Sequence, residues 1–133
     1  MRTLRTPVVA LLVVAAASAC GGTANNVGGA TGTPHTVASG TPISVKETEY
    51  TLAPSALNLK AGTYTITVTN VGQFPHDLHV ATTSDGTEVG GSTVVAAGQS
   101  ASFRVTLQAG SYTFWCAVDA HKSLGMEGTV TVQ

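Results

Sequence analysis

Apolar and polar residues alternate one by one along several short segments between residue 43 and the end of the chain. The alternating apolar positions are Ile43 and Val45; Tyr64, Ile66 and Val68; and Phe103, Val105 and Leu107. A period of two is typical of half-buried β-strands, because successive side chains point to opposite faces. Further strands are predicted at Leu78 to Val80, Tyr112 to Cys116 and Val130 to Val132.

Turn-forming residues separate these segments, and no stretch has a convincing helical period. The predicted turns are Ala61-Gly62, Asn70 to Gly72, Asp85-Gly86, Gly90-Gly91, Ala97 to Gln99 and Ala109-Gly110. Residues 42–133 thus hold about six to eight short strands, which predicts an all-β domain, an antiparallel Greek-key β-sandwich. Such a fold does not by itself indicate a function.

The first 19 residues have the pattern of a secretion signal. Arg2 and Arg5 precede an apolar run at 8–17, and the small residues 17–19 suit a signal peptidase. The run is too short to span a bilayer. The site before Cys20 resembles a bacterial lipobox, although Ala17 replaces the usual leucine, so we expect lipid on Cys20. The alternative is an ordinary secreted protein that is cleaved nearby and keeps Cys20 as a thiol.

Residues 20–41 are rich in glycine, alanine, threonine, serine and asparagine, and we expect a flexible tether in which His35 is solvated. The whole chain has a net charge of −1, and losing Arg2 and Arg5 leaves 4 basic against 7 acidic residues, or −3. This balance argues against nucleic acid, so membrane association is expected through lipid alone. A Cys20–Cys116 disulfide is a weaker alternative, because Cys20 lies at the processing site.

Cys116, His121 and Met126 lie between two predicted strands at the spacing C-x4-H-x4-M. Thiolate suits Cu(I), imidazole binds both copper oxidation states, and a weak axial thioether completes a trigonal His₂Cys site for electron transfer. The candidate for the missing histidine is His76, which is expected to share a strand face with Leu78 and Val80. His79 has the opposite parity and is expected at the surface. Singly, each residue suits an ordinary packing role, but their joint order favours a metal site.

The domain resembles the cupredoxins, especially the plastocyanin-like ones. The resemblance covers residues 42–133 and lies in Gly110-Ser-Tyr-Thr-Phe-Trp-Cys116, Gly125-Met126-Glu-Gly128-Thr-Val and Asn70-x-Gly72-x3-His76. It implies one type 1 copper held by His76, Cys116, His121 and, weakly, Met126, with Asn70 and Asp77 behind the ligands.

The sequence departs from the plastocyanin pattern at two places near the ligands. Four residues separate Cys116 from His121 where plastocyanins have two, which is closer to azurin-type proteins and leaves the subfamily open. Asp77 stands where many members have Asn. We expect its carboxylate to accept a backbone N–H near Cys116 and to favour Cu(II).

Electron carriage is the leading functional hypothesis, because such a ligand set leaves no open position for a substrate. The alternative is copper delivery, with the metal as cargo. An enzyme is disfavoured, since only His35 and His79 remain for a second copper centre. We expect a monomer that docks redox partners of the cell envelope through an apolar rim around His121. The rim residues are Phe74, Pro75, Ala120, Leu124 and Gly125, and Trp115 offers a second electron route.

Overall fold

The structure is a computed structural model, and it describes residues 36–133. The predicted signal peptide, the lipidation site Cys20, His35 and most of the predicted tether lie outside the described residues. Within residues 36–133, no helix has the length and apolar character needed to cross a membrane.

Nine strands in two packed sheets form the described part of the chain. They are β1 (Ile43–Thr48), β2 (Thr51–Ala53), β3 (Ala56–Leu59), β4 (Gly62–Asn70), β5 (His79–Thr82), β6 (Glu88–Gly91), β7 (Ser100–Leu107), β8 (Gly110–Trp115) and β9 (Glu127–Val132). One sheet has the order β2-β1-β4-β7, and the other has the order β3-β9-β8-β5-β6. The predicted all-β sandwich is confirmed.

The alternation in β4 and β7 explains how these strands pair. Tyr64 and Ile66 lie opposite Val105 and Phe103, and their side chains pack in the core between the sheets. On the other face, hydroxyl groups form a ladder of cross-strand hydrogen bonds. Its pairs are Thr63 with Thr106 at 2.9 Å, Thr67 with Ser102 at 2.8 Å and Thr69 with Ser100 at 2.9 Å. The threonine-rich faces are therefore the outer faces of the sandwich.

The strand pairing differs from the sequence prediction in three details. The pairs β1–β4 and β3–β9 are parallel, whereas the other strand pairs are antiparallel. The described residues hold nine strands rather than six to eight, since β2, β3 and β6 are too short to show a period. The turn predicted at Gly90-Gly91 is wrong, because both glycines belong to β6 and pair with Val80 and His79.

Residues just before the predicted boundary between residues 41 and 42 contact strands of the sandwich. Val37 forms a parallel bridge with Leu59, and its carbonyl accepts hydrogen bonds from the Tyr64 hydroxyl and the Lys60 amide. Gly40 N donates to Thr63 O at 3.1 Å. The last residues of the predicted tether are therefore attached to β3 and β4.

Candidate metal centre

Cys116, His121 and Met126 lie in the connection from β8 to β9, which turns back on itself. Cys116 N donates to Met126 O at 3.1 Å, and Met126 N donates to His121 O at the same distance. A single 3₁₀ turn (Lys122–Leu124) follows His121, and Gly125 then adopts a φ of 101°. That left-handed conformation favours glycine and lets the chain re-enter β9. The backbone thus places the three predicted donors side by side.

His76 lies just before β5 rather than inside a strand, which corrects the predicted strand start. Its backbone forms a two-way bridge with Val95, in which N···O distances are 3.1 and 2.6 Å. Asn70 supports the preceding loop: its Nδ2 donates to Phe74 O at 2.7 Å and to Val95 O at 2.9 Å, while its Oδ1 accepts from Gly72 N. Asn70 therefore links the loop that precedes His76 to Val95, the residue that pairs with the His76 backbone.

The side chains of His76, Cys116 and His121 converge on one point. The Nδ1 atoms of the two histidines are 3.2 Å apart, and Cys116 Sγ lies 3.8 Å from Nδ1 of His76 and 3.5 Å from Nδ1 of His121. These residues are the one group of at least three His, Cys, Asp or Glu side chains within residues 36–133 whose arrangement suits a metal ion. Each imidazole thus presents its Nδ1 to the thiol.

The donor cluster is closed to solvent. His76, Cys116 and Met126 are each 0% exposed, and His121 is 7% exposed. Burial, with a smaller effect from the charge of Asp77, raises the pKa of the Cys116 thiol to about 11. The thiol therefore keeps its proton until a cation takes that place.

Asp77 connects the segment of His76 to that of Cys116. Its Oδ1 accepts a hydrogen bond from Ala117 N at 2.6 Å, as expected for a carboxylate near Cys116. Its Oδ2 lies 3.3 Å from Nε2 of His79, whose Nδ1 is 2.8 Å from Glu88. Burial alone would lower the pKa of His79, but Glu88 and Asp77 outweigh it and raise that pKa. His79 forms ion pairs outside the donor cluster.

Two functional residues escaped the sequence analysis, Glu49 and Tyr50 in the turn from β1 to β2. Glu49 Oε1 lies 3.1 Å from Nε2 of His76 and accepts hydrogen bonds from the amides of Gln73 and Phe74. The hydrogen bond from the Phe74 amide is the main reason that the pKa of Glu49 is lowered to about 2. The ring of Tyr50 meets that of His121 edge to face at 4.9 Å. No sequence motif marks this turn, because only folding brings it to the ligands.

The residues predicted to form the docking rim are all exposed. Phe74 and Leu124 are each 56% exposed and offer most of the apolar surface of this rim. Pro75, Ala120 and Gly125 are also exposed. Trp115 is only partly exposed, because its ring stacks on His79 at 5.9 Å and Lys122 Nζ lies 4.4 Å above it.

A comparison with known protein families assigns the chain. The model of the family described as copper binding proteins, plastocyanin/azurin family, matches residues 39–133, which is most of the chain. The chain belongs to this family. No curated protein sequence matches the chain as a relative. The assignment to the plastocyanin/azurin family therefore rests on the family model. The matched residues begin at residue 39, among the residues that contact β3 and β4.

Solved structures of three auracyanins, one of them described as a blue copper protein, share the fold of the chain. Auracyanin from the photosynthetic bacterium Roseiflexus castenholzii, reduced with dithionite, is 19% identical with a TM-score of 0.66, covering 71% of this chain and 98% of its own. Auracyanin B is 19% identical with a TM-score of 0.64, over 78% and 93% of the two chains. Auracyanin A from Chloroflexus aurantiacus is 17% identical with a TM-score of 0.60, over 70% and 100%.

The donor set of this family member fits a single type 1 copper. Three donors held about 2.0 to 2.3 Å from one ion in a trigonal plane are about 3.5 to 4 Å apart. The separations of 3.2, 3.5 and 3.8 Å in the cluster lie close to that range. Buried sulfur and imidazole donors are also the chemistry that copper prefers in such sites. His76, Cys116 and His121 would hold the ion, with Met126 beside them.

Proposed function

We propose that the protein is an extracytoplasmic electron carrier that cycles between Cu(I) and Cu(II), with Met126 as the weak axial ligand. Copper bound here supplies a one-electron couple. The observation that carries the proposal is the burial of the donor cluster, since three donors lie within 4.8 Å of one another under a closed surface. Such a site exchanges electrons through its ligands and offers a substrate no approach to the ion.

The fixed positions of the donors support carriage rather than catalysis or transport of the metal. His76 is held by backbone bonds to Val95, and the Cys116 and Met126 backbones bond to each other. A ligand frame that keeps its shape in both oxidation states lowers the rearrangement that each electron transfer needs. Metal delivery instead needs ligands that open to release their cargo.

Voltammetry combined with a chelator challenge distinguishes the two functions. An electron carrier should give a reversible one-electron wave over many cycles and retain its copper beside a Cu(I) chelator for hours. A delivery protein should lose its copper to the chelator within minutes, and its wave should fade as the metal leaves. The second result would contradict electron carriage.

We also propose that the carrier is anchored outside the cytoplasm by lipid on Cys20. The sequence before Cys20 supports this placement, because a basic start and a short apolar run end at small residues. Stable anchoring needs more than one acyl chain, so a multiply acylated cysteine is expected. Cells given labelled fatty acid should label the wild type and not the Cys20→Ser variant. Equal membrane association of both proteins without label would contradict the anchor.

The redox partner is proposed to dock on the apolar rim around His121, formed by Phe74, Pro75, Ala120, Leu124 and Gly125. Exposed apolar residues in both ligand loops support this face, because Phe74 precedes His76 by two positions and Leu124 N donates to His121 O. An apolar contact loses water easily and suits brief encounters between partners.

A further inference from the structure

The carboxylate of Glu49 packs closely against the loop that carries His76, on the side of the His76 ring away from the other donors. Its Oε1 accepts hydrogen bonds at 2.7 Å from both Gln73 N and Phe74 N, and the same atom lies 3.1 Å from Nε2 of His76. Gly72 leaves the room for it, because a Cβ at that position would fall 2.4 Å from Oε1. The loop from Gly72 to His76 is therefore wrapped around this one side chain.

The contact fixes which nitrogen of His76 is free to bind a metal. An ionised carboxylate only accepts hydrogen bonds, so the nitrogen that faces it must carry the proton. Nε2 then donates to Glu49, and Nδ1 keeps its lone pair toward Cys116 Sγ and Nδ1 of His121. A carboxylate that holds the outer nitrogen of a ligand histidine also makes that ligand more basic.

We propose that Glu49 is a positioning residue of the copper site, which fixes the Nε2–H form of His76 and lowers the Cu(II)/Cu(I) potential through its negative charge. The proposal rests on the proposed electron-transfer function. His121 lacks such a partner among residues 36–133, where its ring meets the aromatic ring of Tyr50 and the other donors. The charge of Glu49 therefore acts on one of the two histidines and makes their surroundings unequal.

The reason for the shift in potential is electrostatic. A negative charge one imidazole away from the metal stabilises the more positive oxidised ion more than the reduced ion. Glutamine at position 49 has an oxygen that accepts the same three hydrogen bonds, so Glu49→Gln removes the charge and keeps the contacts. Glu49→Ala removes both.

Three copper-loaded variants separate charge from positioning. Glu49→Gln should stay blue and bind copper as the wild type does, while its reduction equilibrium shifts about tenfold toward Cu(I), or about 59 mV. Glu49→Ala should also lose about tenfold or more in copper affinity, which the glutamine variant restores. The matched control is Glu88→Gln, which removes a carboxylate from the non-ligand His79 and should leave the potential near that of the wild type.

A measurement without copper tests the positioning by itself. Nitrogen-15 NMR of the metal-free wild type should show the His76 proton on Nε2, with a strongly downfield proton signal that moves upfield in Glu49→Gln. A proton on Nδ1 would overturn the proposal. An unchanged potential in Glu49→Gln, or an equal shift in Glu88→Gln, would also overturn it. A wild type without a reversible copper couple but with the Nε2 proton would contradict the proposed function and support the positioning of His76.

Discussion

The two histidines of the copper site have different surroundings. His76 is 0% exposed and is held by distant parts of the chain, through Glu49 on its ring and Val95 on its backbone. His121 is 7% exposed, and its backbone is held by its own loop, since its amide donates to Val118 O and its carbonyl accepts from Met126 and Leu124. Its ring also contacts Tyr50. The residues that follow it, from Lys122 to Gly125, are all exposed.

This difference indicates a division of roles between the two sides. The His76 side is built from long-range contacts and sets the shape and charge of the site. The His121 side has a backbone held by local contacts and carries the exposed apolar rim that we propose as the docking face. Changes on the first side should therefore alter stability, potential and spectrum, whereas changes on the second should alter the rate of exchange.

The largest effect is expected for Asn70→Ala on the His76 side. The change removes the side-chain hydrogen bonds that Asn70 donates to the carbonyls of Phe74 and Val95 and the one it accepts from the Gly72 amide, while Val95 O keeps its bond from His76 N. We expect a loss of about 2 to 4 kcal/mol in the free energy of unfolding, measured with denaturant, and an altered copper spectrum. Asn58→Ala is the control. Asn58 lies opposite Thr131, at the end of β9 that is remote from Met126, and the substitution should cost under about 0.5 kcal/mol in the free energy of unfolding. Equal losses in both variants would contradict the role of Asn70.

The next effect concerns Glu47, a carboxylate buried beside Asn70. Glu47 is 0% exposed, and neither of its oxygens has a hydrogen-bond partner within residues 36–133. Burial, together with the charge of Asp77, raises the pKa of Glu47 from 4.5 to about 7. The folded state therefore binds the Glu47 proton more tightly than the unfolded state, and this stability is lost as the pH rises from about 4.5 to 7.

Unfolding of the metal-free protein at several pH values tests Glu47. Between pH 4.5 and 8, the wild type should lose about 1 to 3 kcal/mol of unfolding free energy relative to Glu47→Gln. Glu127→Gln, which removes an exposed carboxylate, should follow the wild type at each pH. Parallel curves for the wild type and Glu47→Gln would show that folding does not raise the pKa of Glu47.

The smallest effect is expected on the His121 side. Leu124 contacts the turn after His121 through its backbone amide, and its side chain is exposed. Leu124→Asp should therefore leave the spectrum and the potential near those of the wild type. A charge in the rim should slow electron self-exchange between two copies about tenfold, measured by NMR line broadening. Trp115→Ala should do little, since His79 and Lys122 cover that ring.

A control for added charge is Thr83→Asp, at the opposite end of the sandwich beyond β5, which should leave the self-exchange rate unchanged. Slower exchange in Trp115→Ala, together with an unchanged rate in Leu124→Asp, would place the electron exit on the side of the sandwich. The division of roles between the two sides would then be wrong.

The sequence predicted the parts of the structure that depend on local pattern. Alternation in β4 and β7 predicted the core strands, and the order of Cys116, His121 and Met126 predicted one loop with three donors. It did not predict Glu49 or Val95, because their contacts with His76 join segments that are 27 and 19 residues apart. Short strands such as β2 and β6 were not predicted, because three or four residues are too few to show an alternation of apolar and polar positions.

The central claim is that Cys116, together with His76 and His121, forms a type 1 copper site. The most direct test is to add Cu(II) to the purified domain and record its visible spectrum, with Cys116→Ser as the comparison. The account predicts one copper per protein and an intense blue or green charge-transfer band that Cys116→Ser lacks, while the variant keeps the β-sheet signal in circular dichroism. A wild type that binds Cu(II) and stays nearly colourless would contradict the account.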